Sequence, residues 1–459
     1  MKLTKVELLA KCQELGISRC SSKTKGQLIE LIEAKAKEEI EVKEKVEIQE
    51  HGKCNSIGLP QGTSVNLHEG QGLRFIDLFC GIGGFHQAMK RLDGTCVFAC
   101  DIDEKCRETY EKNYGLKPHA DITKVNIAEI PDFDVLCAGF PCQAFSNSGK
   151  KKGFDDKRGR LYEYILDIAT AKRPAFLFLE NVKHIKKIDD GKVFEEIMRR
   201  IKETGYTAHI TELSPHQLGV PQQRERVIFT CIRNDIYDPA KSLEFPLPNV
   251  PINVGAIFET DLEKTAKYRI SKDDEAILTA WDEMVKHMET GQNMSPTILC
   301  NEFGTAYSET EFAELVAWRR EYITKNKPIY EKYKAQWDAW REKYRALLTK
   351  KEIYGKLEWQ AGIKKENDSI FNHFIQLRQS GIRVKKTDYF PTLVAIVQTP
   401  IYAKEKRYIT PRECARLQSF PDDFIMCEND HTAYKQFGNA VNVDVVHFMI
   451  NNVLKLYGR

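Results

Sequence analysis

The residues best suited to chemistry fall in four clusters, each beside a short apolar run. In Gly139-Phe140-Pro141-Cys142-Gln143-Ala144-Phe145-Ser146, a cysteine follows a turn fixed by proline. The polar stretch after it holds Lys150, Lys151, Lys152, Lys157, Arg158 and Arg160 among glycines. A thiolate is a strong nucleophile, and a mobile basic loop beside it could close over a polyanion. Glu180 ends the wholly apolar Phe176-Leu177-Phe178-Leu179. A carboxyl partly withdrawn from water gains proton affinity and can protonate a ring nitrogen. Pro221-Gln222-Gln223-Arg224-Glu225-Arg226 sets two alternating arginines ahead of another apolar run, where one could pin Glu180 or a substrate base. In Asp77-Leu78-Phe79-Cys80-Gly81-Ile82-Gly83-Gly84-Phe85, a strand runs into a glycine turn and then a helix. Such a turn lets backbone approach a ligand closely at the positive end of a helix. Asp101, at the end of the next apolar run, is placed to accept hydrogen bonds from ribose hydroxyls. The glycine spacing is not that of dinucleotide enzymes, because His86 stands where the last glycine would be. Each cluster alone also has a plain structural counterpart: a turn without ligand, a buried cysteine, arginines paired at the surface.

These clusters need a scaffold that brings strand ends together. Residues 73–79, 95–100, 134–138, 175–180, 207–213 and 226–232 are short apolar runs with helical patterns between most of them. That alternation predicts an α/β fold, a mainly parallel sheet covered on both faces. Its carboxyl edge, where open α/β sheets bind ligands, would then carry Cys142 and Glu180. Near residue 236 the regularity ends, and Pro246, Pro248 and Pro251 punctuate the change. Tyr330, Tyr333, Trp337, Trp340 and Tyr344 recur at helical spacing, a stripe read as packed core. At the other end, Thr4 and Glu7 could form a capping box before a short helix, with Gly16 just past it and a second helix from Lys25. Residues 36–70 read as a charged and then flexible linker.

A chain of 459 residues suggests two or three domains. No apolar run is long enough to span a membrane, and the first residues lack a secretory signal, so a cytoplasmic protein is expected. The 13 scattered cysteines suit a reducing compartment. A net charge of +3 means that a nucleic-acid partner would be held by local basic patches. Residues 351–390 concentrate donors and acceptors, with Arg378, Gln379 and Arg383 flanking the Ser380-Gly381 turn, where long side chains could reach base edges.

Taken in order, the clusters resemble the DNA (cytosine-5)-methyltransferases, particularly those of bacterial restriction–modification systems. Residues 77–85 look like that family's cofactor motif and 140–146 like its nucleophile motif. Glu180-Asn181-Val182 and 222–226 look like its base-binding motifs, and 410–418 and 436–441 like its last two. The resemblance covers about 73–245 and 380–459. It implies a Rossmann-like S-adenosylmethionine-dependent methyltransferase domain (71–245 plus 430–459), a smaller target-recognition domain (246–429), and no metal. Phe79, Gly81, Gly83, Asp101, Asp121, Ile122, Asn439 and Val441 would surround S-adenosyl-L-methionine, leaving S-adenosyl-L-homocysteine after transfer. Ile102 stands where the family commonly has a large side chain packed on the adenine. Cys142 would attack, Glu180 would act on the ring, and Arg224 and Arg226 would hold Glu180, the base and the phosphate. Gln143, Ser146, Ser148, Lys150 and Gln222 would face double-stranded DNA, with Arg378 and Arg383 reading sequence. Residues 1–35 resemble a SAP module, a small helical DNA-binding unit. A monomer is expected, with a cognate restriction endonuclease that acts separately as its counterpart. Methylation of tRNA, a branch of the same family, is the nearest rival; Phe140-Pro141-Cys142 and Ser146 favour DNA. A catalytically inactive DNA-binding protein on this fold is the rival from another class.

Overall fold

Apolar runs too short for helices and free of polar residues on either face settle as central strands. The computed structural model describes residues 72–141, 161–294, 297–395 and 398–459. The expected helical module and linker at 1–70, and the loop at 142–160, lie outside them. In the first sheet, β1 (Arg74–Leu78), β2 (Thr95–Cys100), β3 (Val135–Gly139) and β4 (Phe176–Val182) run parallel. β6 (Arg226–Arg233) is antiparallel to both β4 and β5 (Tyr206–Leu213), and the strand order is β2-β1-β3-β4-β6-β5. The mainly parallel sheet therefore has one reversed strand.

Both faces are covered. Ile76 and Leu78 of β1 and Leu177 and Leu179 of β4 pack against α3 (Leu161–Lys172) and α4 (Lys192–Glu203). On the opposite face lie α1 (Gly84–Lys90), α2 (Glu104–Tyr114) and the closing helix α10 (Val443–Leu456), which packs on α1. The ends of α2 follow local rules: Asp103 caps its first turn, and Gly115 ends it at φ 68°.

The second sheet has the order β12-β11-β9-β10-β8-β7. Its main strands are β8 (Lys356–Gln360), β9 (Phe374–Arg378) and β10 (Gly381–Lys385), edged by β7 (Ile298–Leu299), β11 (Ile401–Tyr402) and β12 (Arg407–Tyr408). Its apolar face meets α5 (Lys272–His287), α6 (Ala317–Lys332) and α7 (Lys334–Lys343). Trp281, Trp337 and Trp340 form the centre, and the indoles of Trp281 and Trp340 donate to the carbonyls of Tyr354 and Ala280. The aromatic stripe is core at Tyr333, Trp337 and Trp340. It spans two helices, because the chain breaks helical geometry at Tyr333.

After β10 the chain returns to the first sheet. The Phe390 N–H donates to the Pro221 carbonyl (2.7 Å) and the Gln223 N–H to the Phe390 carbonyl (3.0 Å). Beyond the second sheet, α8 (Pro411–Leu417) and α9 (Asp430–Asn439) lead into α10. Already at Ser419 the carbonyl accepts from Arg91, just past α1. No helix among the described residues is long and apolar enough to cross a membrane.

Candidate active site at the carboxyl edge of the first sheet

The turn after β1 is made by three residues with positive φ: Phe79 (52°), Gly81 (54°) and Gly83 (86°). The glycines serve different ends. A Cβ on Gly83 would stand 2.4 Å from the Tyr114 ring, and one on Gly84 would stand 2.4 Å from the Val441 carbonyl. A Cβ on Gly81 would meet nothing within 4 Å, so the turn is open there. The Gly81 N–H donates to Oδ2 of Asp101 (2.7 Å), and the Asp103 N–H donates to Oδ1 (2.8 Å). Burial raises the proton affinity of Asp101, while these two N–H groups pull it back. Ile102 is 75% exposed, an apolar side chain left at the rim. Asp121 accepts from the N–H and hydroxyl of Thr123, which lower its pKa, and Ile122 beside it is buried.

Sequence reading gave no role to the residues that back this turn. The Tyr114 hydroxyl donates to the Ile82 and Gly83 carbonyls, and His86 stacks on Tyr114 with centroids 3.7 Å apart. Burial lowers the His86 pKa to about 3. Asp77 is fully buried; burial first, then the charge of Asp101, raises its pKa. An acid inside an otherwise apolar strand was the available signal.

Two strands away, Glu180 pairs in register with Gly139. Its Oε1 takes the Nε of Arg226 at 2.8 Å, with both side chains nearly buried. Its Oε2 lies 3.9 Å from where a Cβ on Gly139 would stand, and Val441 Cγ2 lies 3.2 Å from the same point. Asn181 donates to the Phe140 carbonyl (3.0 Å), fixing the turn that leads through Pro141 to Cys142. Cys142, Gln143, Ser146, Ser148 and Lys150 lie outside the described residues.

Two expectations need correction. Arg224 does not reach Glu180. Its guanidinium is buried and donates to three carbonyls, those of Leu393 (2.7 Å), Gly438 and Ala440 (3.0 Å each). Gln222, expected to face DNA, is fully buried, and its amide donates to the Leu417 carbonyl (3.0 Å). Both side chains fasten the segment before Val441 or its neighbours, and among the described residues it is Arg226 that holds Glu180. Asn439 is exposed at the end of α9. Arg378 and Arg383 stand apart from all of these, on the second sheet.

The arrangement can hold a nucleoside-like ligand over Gly81 and Asp101, with an oriented carboxylate beside Gly139. Residues 73–455 match the family described as C-5 cytosine-specific DNA methylase. The chain is 32% identical over 382 residues to the Type II methyltransferase M.HhaI of Haemophilus parahaemolyticus, covering 83% of this chain and 94% of that one. It is 32% identical over 443 residues to the Type II methyltransferase M.BanI of Aneurinibacillus aneurinilyticus, covering 84% and 98%. Among solved structures, the Entamoeba histolytica methyltransferase EhMeth aligns over 84% of this chain and 98% of its own, with 19% identity and a TM-score of 0.49.

Proposed function

From the premise that this chain belongs to the C-5 cytosine-specific DNA methylase family and methylates cytosine in DNA, we propose that Cys142 and Glu180 carry out the transfer in the pocket bounded by Gly139 and Val441. The observation that carries this reading is the position of Glu180. Held by Arg226 through Oε1, it keeps Oε2 beside the Gly139–Pro141 turn that delivers Cys142. S-adenosyl-L-methionine supplies an electrophilic methyl group. The open face of Gly81 and the two oxygens of Asp101 fit its ribose, Phe79 and Ile102 its adenine, and Asn439 and Val441 complete the wall.

Carbon 5 of cytosine is a weak nucleophile, so the ring is activated first. The Cys142 thiolate adds to carbon 6 while Glu180 delivers a proton to N3, leaving an enamine whose carbon 5 accepts the methyl. A water or hydroxide base then takes the carbon-5 proton, the carbon–sulfur bond breaks to release the Cys142 thiolate, and N3 returns its proton to Glu180. A stacked base cannot reach such a pocket, so the cytosine is flipped out of the duplex. Gln143, Ser146, Ser148 and Lys150 close on it from the following loop. The first sheet with α10 forms the catalytic domain, the second sheet with its helices reads sequence, and residues 1–35 add a DNA-binding module across the linker. The protein works as a monomer, and a cognate restriction endonuclease acts separately on the same sequence.

Incubation with tritiated cofactor should label duplex DNA and leave tRNA unlabelled, and bisulfite sequencing should place the mark at cytosines within one sequence. Label on tRNA alone would reverse the assignment. Asp101→Ala removes a carboxylate expected to accept from the ribose. S-adenosyl-L-homocysteine should then bind with a loss of about 1.5–3 kcal/mol, about tenfold to a hundredfold, measured by calorimetry. An unchanged affinity would remove Asp101 from the cofactor site.

A further inference from the structure

Resting on the reading of this chain as a DNA cytosine methyltransferase, we propose that Arg383 specifies one guanine of the target sequence from the major groove, with Glu358 as its positioning residue. The argument begins with the two faces of the second sheet. Leu357, Trp359, Ile375, Ile382 and Val384 point into the core around Trp281 and Trp337. The alternate residues must then share the opposite face. β10 pairs with β8 and β9 so that Arg383 stands between Glu358 and Gln376. Arg378, Arg383 and Lys385 therefore lie on one face with a single carboxylate among its described strand residues, Glu358, while Lys356 at its edge is paired with Glu352.

That imbalance is costly to an isolated protein. Arg378 has a buried Nε without a hydrogen-bond partner among the described residues. Its guanidinium and the Lys385 ammonium are each pushed toward lower proton affinity, first by burial and then by the charge of Arg383. A duplex, with its dense negative charge, complements such a face. The face also begins at the catalytic half of the molecule. Phe374, paired with Lys385, stacks on Phe390 with centroids 3.8 Å apart, and Phe390 bonds to Pro221 and Gln223, just before Arg226.

Arg383 is anchored by a carboxylate, an ion pair that Arg378 and Lys385 do not make among the described residues. Its Nε donates to Oε2 of Glu358 at 2.7 Å, with the two side chains 21% and 18% exposed. The other carboxylate oxygen accepts from the Gln360 amide. Anchoring through Nε leaves the two terminal nitrogens, which have no partner among the described residues. That pair of donors matches the adjacent N7 and O6 acceptors of guanine. Adenine would set its N6 amino group against one of them, donor against donor. A guanidinium held by its Nε has already lost the freedom to turn away, so the mismatch cannot be relieved by rotation.

The test is the methylated sequence itself, read by bisulfite sequencing of a randomised duplex library treated with wild type, Arg383→Ala, Arg383→Lys and Glu358→Gln, each with a melting curve. Wild type should require guanine at one position. Arg383→Ala and Arg383→Lys should both accept other bases there, losing about tenfold to a hundredfold of discrimination, because a lysine has no Nε for Glu358 to hold and its flexible ammonium can swing to other acceptors. Glu358→Gln, whose amide oxygen still accepts from Nε, should relax the same position less. Should the alanine variant fail to fold, the lysine variant, which keeps the charge, decides the matter. Slower methylation of every site with the sequence unchanged would make Arg383 a phosphate contact and overturn the proposal. So would an unchanged sequence and rate. A wild type that methylates no cytosine would instead overturn the reading on which the proposal rests.

Discussion

A duplex carrying 5-fluorocytosine at the target position will trap this protein as a covalent adduct, and peptide mass spectrometry will place the bond at Cys142. The fluorine cannot leave as a proton does, so after methyl transfer the carbon–sulfur bond has no route to break. Trapping should require S-adenosyl-L-methionine. Cys142→Ala should abolish the adduct and lower turnover by at least about three orders of magnitude, the scale seen when a nucleophile is removed. Nine other cysteines are described, and several of their thiols are raised by burial, Cys96 and Cys100 to about 12 and Cys137 further still. Such thiols stay protonated at neutral pH and make poor nucleophiles. An adduct on any of them, or one that survives in Cys142→Ala, would overturn the assignment. Glu180→Gln should lower turnover by about 10²–10⁴, because an amide cannot deliver the proton to N3. That variant also leaves the Arg226 guanidinium without its carboxylate, so its melting temperature must be read beside its rate.

Arg224→Met should disable the protein by a different route, through position alone. Three carbonyls, from Leu393, Gly438 and Ala440, lose their donors at once. Methionine fills much of the volume but satisfies none of them. A loss of about 3–5 kcal/mol of stability is expected, the range for breaking a buried charged network. Binding should fall beyond the loss of folded protein. Gly438 and Ala440 set the path of Val441, whose side chain stands against Gly139 and whose carbonyl stands against Gly84. At a temperature where the variant is fully folded, S-adenosyl-L-homocysteine should therefore bind more weakly. Arg224→Lys should recover little, because one ammonium cannot span carbonyls that the flat guanidinium reaches at two ends. A variant that melts early yet binds the cofactor product normally when folded would reduce Arg224 to a stability role.

What could be read along the chain were the features decided within a few residues. The apolar runs of β3 and β4 have no polar face to turn to water, and β1 breaks its own only at the buried Asp77, so all three settle as central strands. The turn over Gly81 and Gly83 is set by local backbone geometry. β8 and β9 were harder, because five residues such as Lys356-Leu357-Glu358-Trp359-Gln360 alternate for too short a span to stand out from loop. The roles of Gln222, Arg224 and Arg226 could not be separated from sequence at all. They alternate in one short stretch, yet the first two turn to carbonyls at 417, 438 and 440, while only the third meets Glu180. The partner of Arg224 at Ala440 is 216 positions away. Hydrogen-bonding capacity is a property of the residue, but which acceptor meets it depends on segments that only the packed sheet brings within 3 Å. The hydrogen-bonding chemistry of these residues was therefore local, and which arginine meets Glu180 and which meets backbone carbonyls belonged to the tertiary structure.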